Sequence, residues 1–155
     1  MTVIEKTFKK EDWRKKLAFY IRDHAGKPFE WGANDCVTFA NGCIREMTDI
    51  DPISWGRGKY RTAEEAKKVL WEHKNKGLVD TFSEVYEELG FQESDGSEVG
   101  DILFMWVTGE EGPEITMGVF VEESINGNVL QYACGPGEEG LKKIQDYLLV
   151  KAWRV

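Results

Sequence analysis

The chain has 155 residues, of which 41% are hydrophobic, including six Trp, eight Phe and five Tyr; its formal net charge is −8 and its pI about 4.9. That length and aromatic content predict one domain spanning residues 1–155 with a packed core, and exclude a disordered chain. The acidic balance argues against nonspecific binding to nucleic acid or to an anionic membrane surface.

The opening residues, Met1-Thr2-Val3-Ile4-Glu5-Lys6-Thr7, are too few and too polar for the apolar core of a secretory leader. No apolar run reaches the length of a membrane span. The expectation is synthesis in the cytoplasm, with no signal peptide and no membrane insertion. The three cysteines, Cys36, Cys43 and Cys134, are an odd set with no paired spacing, which argues against a disulfide framework. Cys36 and Cys43 are two helical turns apart, roughly 10 Å, too far for a bond. With no C-x-x-C and only His24 and His73 as imidazoles, no metal site is predicted.

In chain order, Lys9 to His24 reads as an amphipathic helix, with Trp13, Leu17, Tyr20, Ile21 and His24 at helical spacing and Gly26 and Pro28 beyond its end. Phe29 to Asn34 reads as a loop. A second helix runs from Cys36 to about Met47, with Asn34 and Asp35 as strong capping residues before it. Gly42 inside it costs stability unless a neighbour packs closely there. Thr48 to Arg61 is a loop. A third helix starts at the capping box Thr62-Ala63-Glu64-Glu65, with Gly77 as its stop. A fourth covers Thr81 to Leu89 and ends at Gly90. After Gly96 the pattern turns to strands: 102–107, 115–122, 129–134 and 147–155, with Asn126-Gly127 as a hairpin turn. Helices first and strands last, joined by short links, predict an α+β protein with a mostly antiparallel sheet.

The corner Asn34-Asp35-Cys36 carries the chemistry. A thiol in the first turn of a helix meets the positive end of the macrodipole, so its thiolate is favoured and its pKa is expected to fall. Several flanking residues have bland readings. Asp35 reads as an N-cap, Asp101 as a strand-entry turn residue, Trp31 and Trp106 as core, and Cys134 as structural. His24 reads as a favourable charge at a helix C-terminus and His73 as a solvated residue on a polar helix face.

The order of motifs extends this. Phe29-Glu30-Trp31-Gly32 followed by Asp35-Cys36 resembles the start of the NlpC-type, papain-like superfamily of cell-wall cysteine peptidases. Val99-Gly100-Asp101-Ile102-Leu103-Phe104, Met117-Gly118-Val119-Phe120-Val121 and Val129-Leu130-Gln131-Tyr132-Ala133 resemble its successive strands. The ending, Gly140-Leu141 to Ala152-Trp153-Arg154-Val155, is similar to small phage-encoded members. The resemblance covers residues 13–155. It implies a papain-like α+β fold, no cofactor, Cys36 at the nucleophile position, and Phe29, Trp31 and Asp35 at substrate-binding positions. It also implies a place in a phage tail tip or baseplate within the virion, with tail proteins as partners and peptidoglycan as the substrate of the active family.

Two positions depart from the family pattern. Thr116 stands where the resemblance puts the histidine base, and a threonine hydroxyl accepts no proton near neutral pH. Phe29 stands where the family usually has a tyrosine whose hydroxyl serves the oxyanion site. The third polar position falls near Gln131 or Tyr132, with Gln131 favoured. The expectation is therefore a fold kept with hydrolysis weakened or lost. The alternative is an active endopeptidase in which Cys36 uses a substitute base, His24 or one from a partner chain.

Overall fold

The computed structural model describes residues 7–155, so the expectation about a leader at Met1–Lys6 lies outside the described residues. Helix α1 (Trp13–His24) starts later than its periodicity suggests, because Lys9–Asp12 turn in towards the end of the second helix, with Lys10 N–H donating to the Met47 carbonyl at 2.9 Å. Helix α2 (Cys36–Thr48) buries nine of its residues, Thr38 to Ile44 with Met47 and Thr48. Gly42 sits in its middle because Tyr20 of α1 packs against it. A Cβ at position 42 would lie 2.0 Å from the Tyr20 hydroxyl.

Helix α3 (Ala63–Lys74) begins as read, with Thr62 accepting from Glu65 N–H. It ends earlier than Gly77. Asn75 takes the left-handed conformation (φ 58°) that closes the helix, which Asn tolerates well, and Gly77 instead opens helix α4 (Leu78–Leu89). Helix α3 carries no fully buried residue. It lies over a small apolar cavity lined by Val37, Ile53, Tyr60, Val69 and Phe82. The His73 ring stacks on Trp55 at 3.9 Å, so one face of His73 is covered rather than solvated. Burial, then the Lys74 charge, lowers its pKa.

Six strands follow: β1 (Gln92–Ser94), β2 (Ile102–Gly109), β3 (Gly112–Ile125), β4 (Asn128–Gly137), β5 (Gly140–Ile144) and β6 (Leu148–Arg154). They form one sheet in the order β1-β6-β2-β3-β4-β5, antiparallel throughout. The protein is thus α+β, as the sequence predicts, and the Asn126-Gly127 turn has both residues at positive φ (49° and 81°), the geometry of a tight hairpin. Strands β1 and β5 were not predicted; both are short edge strands without clear alternation.

The sheet cannot be flat. In the strand order β5 and β6 are four steps apart, about 19 Å at the usual spacing. The link between them is Gln145–Tyr147, and four Cα–Cα steps span at most about 14 Å. The sheet therefore curls, and its inner face closes over Leu103, Met105, Phe120, Ala133 and Ala152, with Tyr147 of the link packed against them. The outer face presents Ile102, Phe104, Met117, Val119 and Val121 to Phe39, Cys43, Ile44 and Met47 of α2 and to Phe82 and Tyr86 of α4.

The entry to β2 is fixed by charge. Asp101, fully buried, takes two hydrogen bonds from Arg154 (Nε 3.0 Å, Nη2 2.9 Å), one from the Ser94 hydroxyl and one from Glu98 N–H. It is a structural carboxylate that ties the first two strands in the sheet order, β1 and β6, to the start of β2.

Gly42→Ala tests the contact between α1 and α2. Helix propensity alone would make it stabilising by about 1 kcal/mol. The Tyr20 ring is pinned between His24 and Phe39, so overpacking should instead destabilise the protein by about 1–3 kcal/mol in urea denaturation.

Candidate functional site around Cys36

The site is built on Asp35. Its backbone is extended (φ −103°, ψ 179°), and its Oδ1 accepts from Val37 N–H and Thr38 N–H, both at 2.9 Å. Thr38 returns the bond by accepting from Asp35 N–H at 2.9 Å, completing a reciprocal cap. The second oxygen, Oδ2, accepts from Gly32 N–H at 2.8 Å and from the Tyr60 hydroxyl at 2.7 Å. Asp35 is 1% exposed, so this is a buried carboxylate satisfied by four donors. Burial, then the Asp35 charge, pushes the Tyr60 hydroxyl pKa up.

The approach is close. Gly32 has φ 82°, and a Cβ on it would fall 2.0 Å from the Tyr60 carbonyl oxygen. Only glycine fits there. Its neighbour Asn34, also buried, donates from Nδ2 to the carbonyls of Lys27 and Pro28 and holds the loop from the other side.

Cys36 is the first residue of α2 and is part-buried. At this end of the sheet β3 pairs only with β2, because its pairing with β4 starts at Val119–Cys134. The Cys36 sulfur lies beside that edge, near the Met117 backbone N–H and the Thr116 hydroxyl, and both of these donors favour its thiolate. Burial is the largest influence on the thiol and pushes its pKa up, and the Asp35 carboxylate adds to this. The Met117 and Thr116 hydrogen bonds and its own N–H act the other way without reversing it. The expected fall is thus overturned. A helix terminus favours the thiolate, but here that terminus is already occupied by a carboxylate and the residue is half-buried.

The structure brings Cys36, Asp35 and Thr116 together. Phe29 and Trp31 form an edge-to-face pair at 4.9 Å, anchored to the end of β4 by Phe29 N–H donating to the Gly137 carbonyl at 2.8 Å. Trp31 is 41% exposed, so it is not a core residue. Trp106 is 44% exposed and the core reading fails for it too.

Gln131 does not join this group. It stands opposite Glu122, to which its Nε2 donates at 2.7 Å, six residues along β3 from Thr116, or roughly 20 Å. Continuing the β3–β4 register would put Pro136 and Gly137 nearest to Thr116, and neither has a side-chain polar atom. His24 is also apart: its Nδ1 donates to the Tyr20 carbonyl at 2.8 Å and its ring lies against Tyr20 and Phe39. Among the described residues no hydrogen bond joins it to Cys36. Tyr60 is the member of the site that sequence reasoning missed, since it lies 25 residues from Asp35 in a loop with no recognisable motif.

A family model described as a domain of unknown function (DUF6950) matches residues 8–155. The chain belongs to this family. No curated protein and no solved structure matches it at a significant level. The DUF6950 match runs through both α2 and β3, so the elements that form the Cys36 corner lie within the family's extent.

In this DUF6950 chain the corner is rigid and electrostatically closed. The neighbours of the sulfur are the Thr116 hydroxyl, the Met117 amide and the Asp35 carboxylate, and among the described residues no imidazole is hydrogen-bonded to it. Two outcomes follow. Asp35→Ala should lower stability by about 2–4 kcal/mol in denaturant titrations, combining a lost N-cap with buried donors left without an acceptor. Alkylation of Cys36 by iodoacetamide, followed by mass spectrometry, should be slow at pH 7. Its rate should rise with pH through an inflection above the ordinary thiol value of about 8.5.

Proposed function

We propose that this chain is a catalytically weakened relative of the NlpC-type cell-wall cysteine peptidases, serving as a binding component of a phage tail tip or baseplate. The α+β order, with a cysteine opening α2 against a strand of an antiparallel sheet, supports the first half of that reading. The virion role rests on the likeness of the strand motifs and the chain ending to small phage-encoded members of that superfamily.

One observation carries the loss of hydrolysis: the group at the Cys36 sulfur is the Thr116 hydroxyl, two residues before Gly118, where the family resemblance puts an imidazole. Peptide cleavage needs a base to take the thiol proton and an acid to give one to the leaving amine. The Thr116 hydroxyl and the Met117 amide can donate to a thiolate but do neither job. General base catalysis is worth about 10²- to 10⁴-fold. An ordinary thiol is only a few per cent ionised at pH 7, and Cys36 is shifted further towards its neutral form. What remains is a shaped corner flanked by exposed aromatic rings, suited to holding a neighbour.

Turnover of peptidoglycan fragments should be the same for wild type and Cys36→Ala. A Cys36-dependent cleavage would overturn the reading. Thr116→His should restore part of what is missing, raising the alkylation rate of Cys36 at pH 7 by about tenfold or more; an unchanged rate would mean that position 116 is not the base position. For the assembly role, the protein should remain with purified virions and co-purify with tail proteins, and its absence from both would sink that part.

A further inference from the structure

The outer face of the sheet is not covered to its end. Residues Ile102 and Phe104 of β2 and Met117 and Val119 of β3 lie under the helices. One step further along the same face come Trp106 and Ile115, which are cross-strand partners. On the other side of Trp106 its partner in β6 is Leu148. Leu148 shares this outer face, because its neighbour Leu149 lies by Leu103 and Ala152 of the inner cluster. The result is an apolar row across three strands, with Leu148 72% and Trp106 44% exposed. Met117 is next to Ile115 on the same face, and its backbone N–H lies by the Cys36 sulfur, so the row leads to the Cys36 corner.

The surroundings of the row are acidic. The turn that joins β2 to β3 carries Glu110 and Glu111. The turn from β4 to β5 carries Glu138 and Glu139 at the same end of the sheet. Glu30 is brought there by the Phe29 anchor to Gly137. All five carboxylates are on exposed residues, and none is in an ion pair among the described residues. The cation Lys142 lies over Gly137 and offsets one of them. Some acidic groups elsewhere are matched, as with Lys74 and Lys76 against Glu84 and Glu88, Lys143 against Glu123, and Arg154 against Asp101, whereas scattered ones such as Asp80, Glu87 and Asp146 have no ion pair among the described residues.

We infer that this end of the sheet is a docking surface for a basic segment of another protein. An apolar side chain of that segment seats on the Leu148–Trp106–Ile115 row, and its lysines or arginines meet the ring of carboxylates. The two parts of the surface select the occupant together. An apolar strip gains from burial at about 25 cal/mol per Å². An unpaired carboxylate ring disfavours any acidic partner, nucleic acid or anionic lipid, and speeds the approach of a cationic one. The inference does not depend on whether Cys36 has any chemistry.

The test uses the full chain and a short synthetic peptide of lysines flanking one tryptophan, with the glutamate version of the same peptide as control, followed by backbone amide NMR. The lysine peptide should shift Trp106, Ile115 and Leu148, weaken with added salt, and leave the glutamate peptide without effect. Affinity should drop about tenfold or more in the quadruple variant Glu110→Gln, Glu111→Gln, Glu138→Gln, Glu139→Gln, and again in Trp106→Ser. A second quadruple variant, Glu64→Gln, Glu72→Gln, Glu87→Gln, Glu122→Gln, changes the net charge by the same amount elsewhere and should bind nearly as well as wild type. Equal losses in the two quadruple variants, shifts scattered over the whole surface, or no binding by wild type would each overturn the proposal.

Discussion

The buried Asp35 carboxylate is the constraint on which the rest of the cysteine corner depends. Four donors from three separate stretches of chain converge on it: the loop at Gly32, the first turn of α2 at Val37 and Thr38, and the side chain of Tyr60. A charge taken out of water persists only when it is fully hydrogen-bonded, so none of these stretches can move independently. The helix direction, the path of the loop and the position of the Cys36 sulfur are settled together.

The same arrangement explains why a cysteine at the start of a helix need not be an ionised thiol. Catalytic thiols are activated by positive surroundings and a nearby base. Here the helix terminus that would favour a thiolate is spent on capping by Asp35, and the negative charge so close to the sulfur works against ionisation. The second carboxylate hub, Asp101, does comparable work at the other end of β2 by holding Arg154, Ser94 and Glu98. Two buried acids thus fix the two ends of the fold, one under the helices and one at the sheet.

Local signals were legible in the sequence and tertiary ones were not. The starts of α2 and α3 could be read because Asp35 and Thr62 cap their own helices within three residues. The hairpin at Asn126-Gly127 was legible for the same reason. Gly77 misled, since glycine suits both the end of one helix and the start of the next, and Asn75 supplied the left-handed residue first. Strands β1 and β5 escaped because edge strands this short have no face pattern. At the site, the meeting of Cys36 with Thr116 was reachable only through the family resemblance, whereas Gln131 was placed by motif order and the strand register carries it away. The exposure of Trp31 and Trp106 was hidden because large aromatic residues most often fill cores, and where the helix layer stops is a property of packing.

Helix α3 has no fully buried residue and is held mainly by the Trp55–His73 stack, the ion pairs of Lys74 and Lys76 with α4, and half-buried Val69 and Leu70 over a cavity. Such an element opens at the low end of a protein's range of local free energies. It begins only after Tyr60, so its melting leaves the bond to Asp35 on the folded side of the hinge. The chain therefore contains a natural fuse: opening of α3 uncovers Val37 and Tyr60 beneath it while the Tyr60–Asp35 bond stays in place.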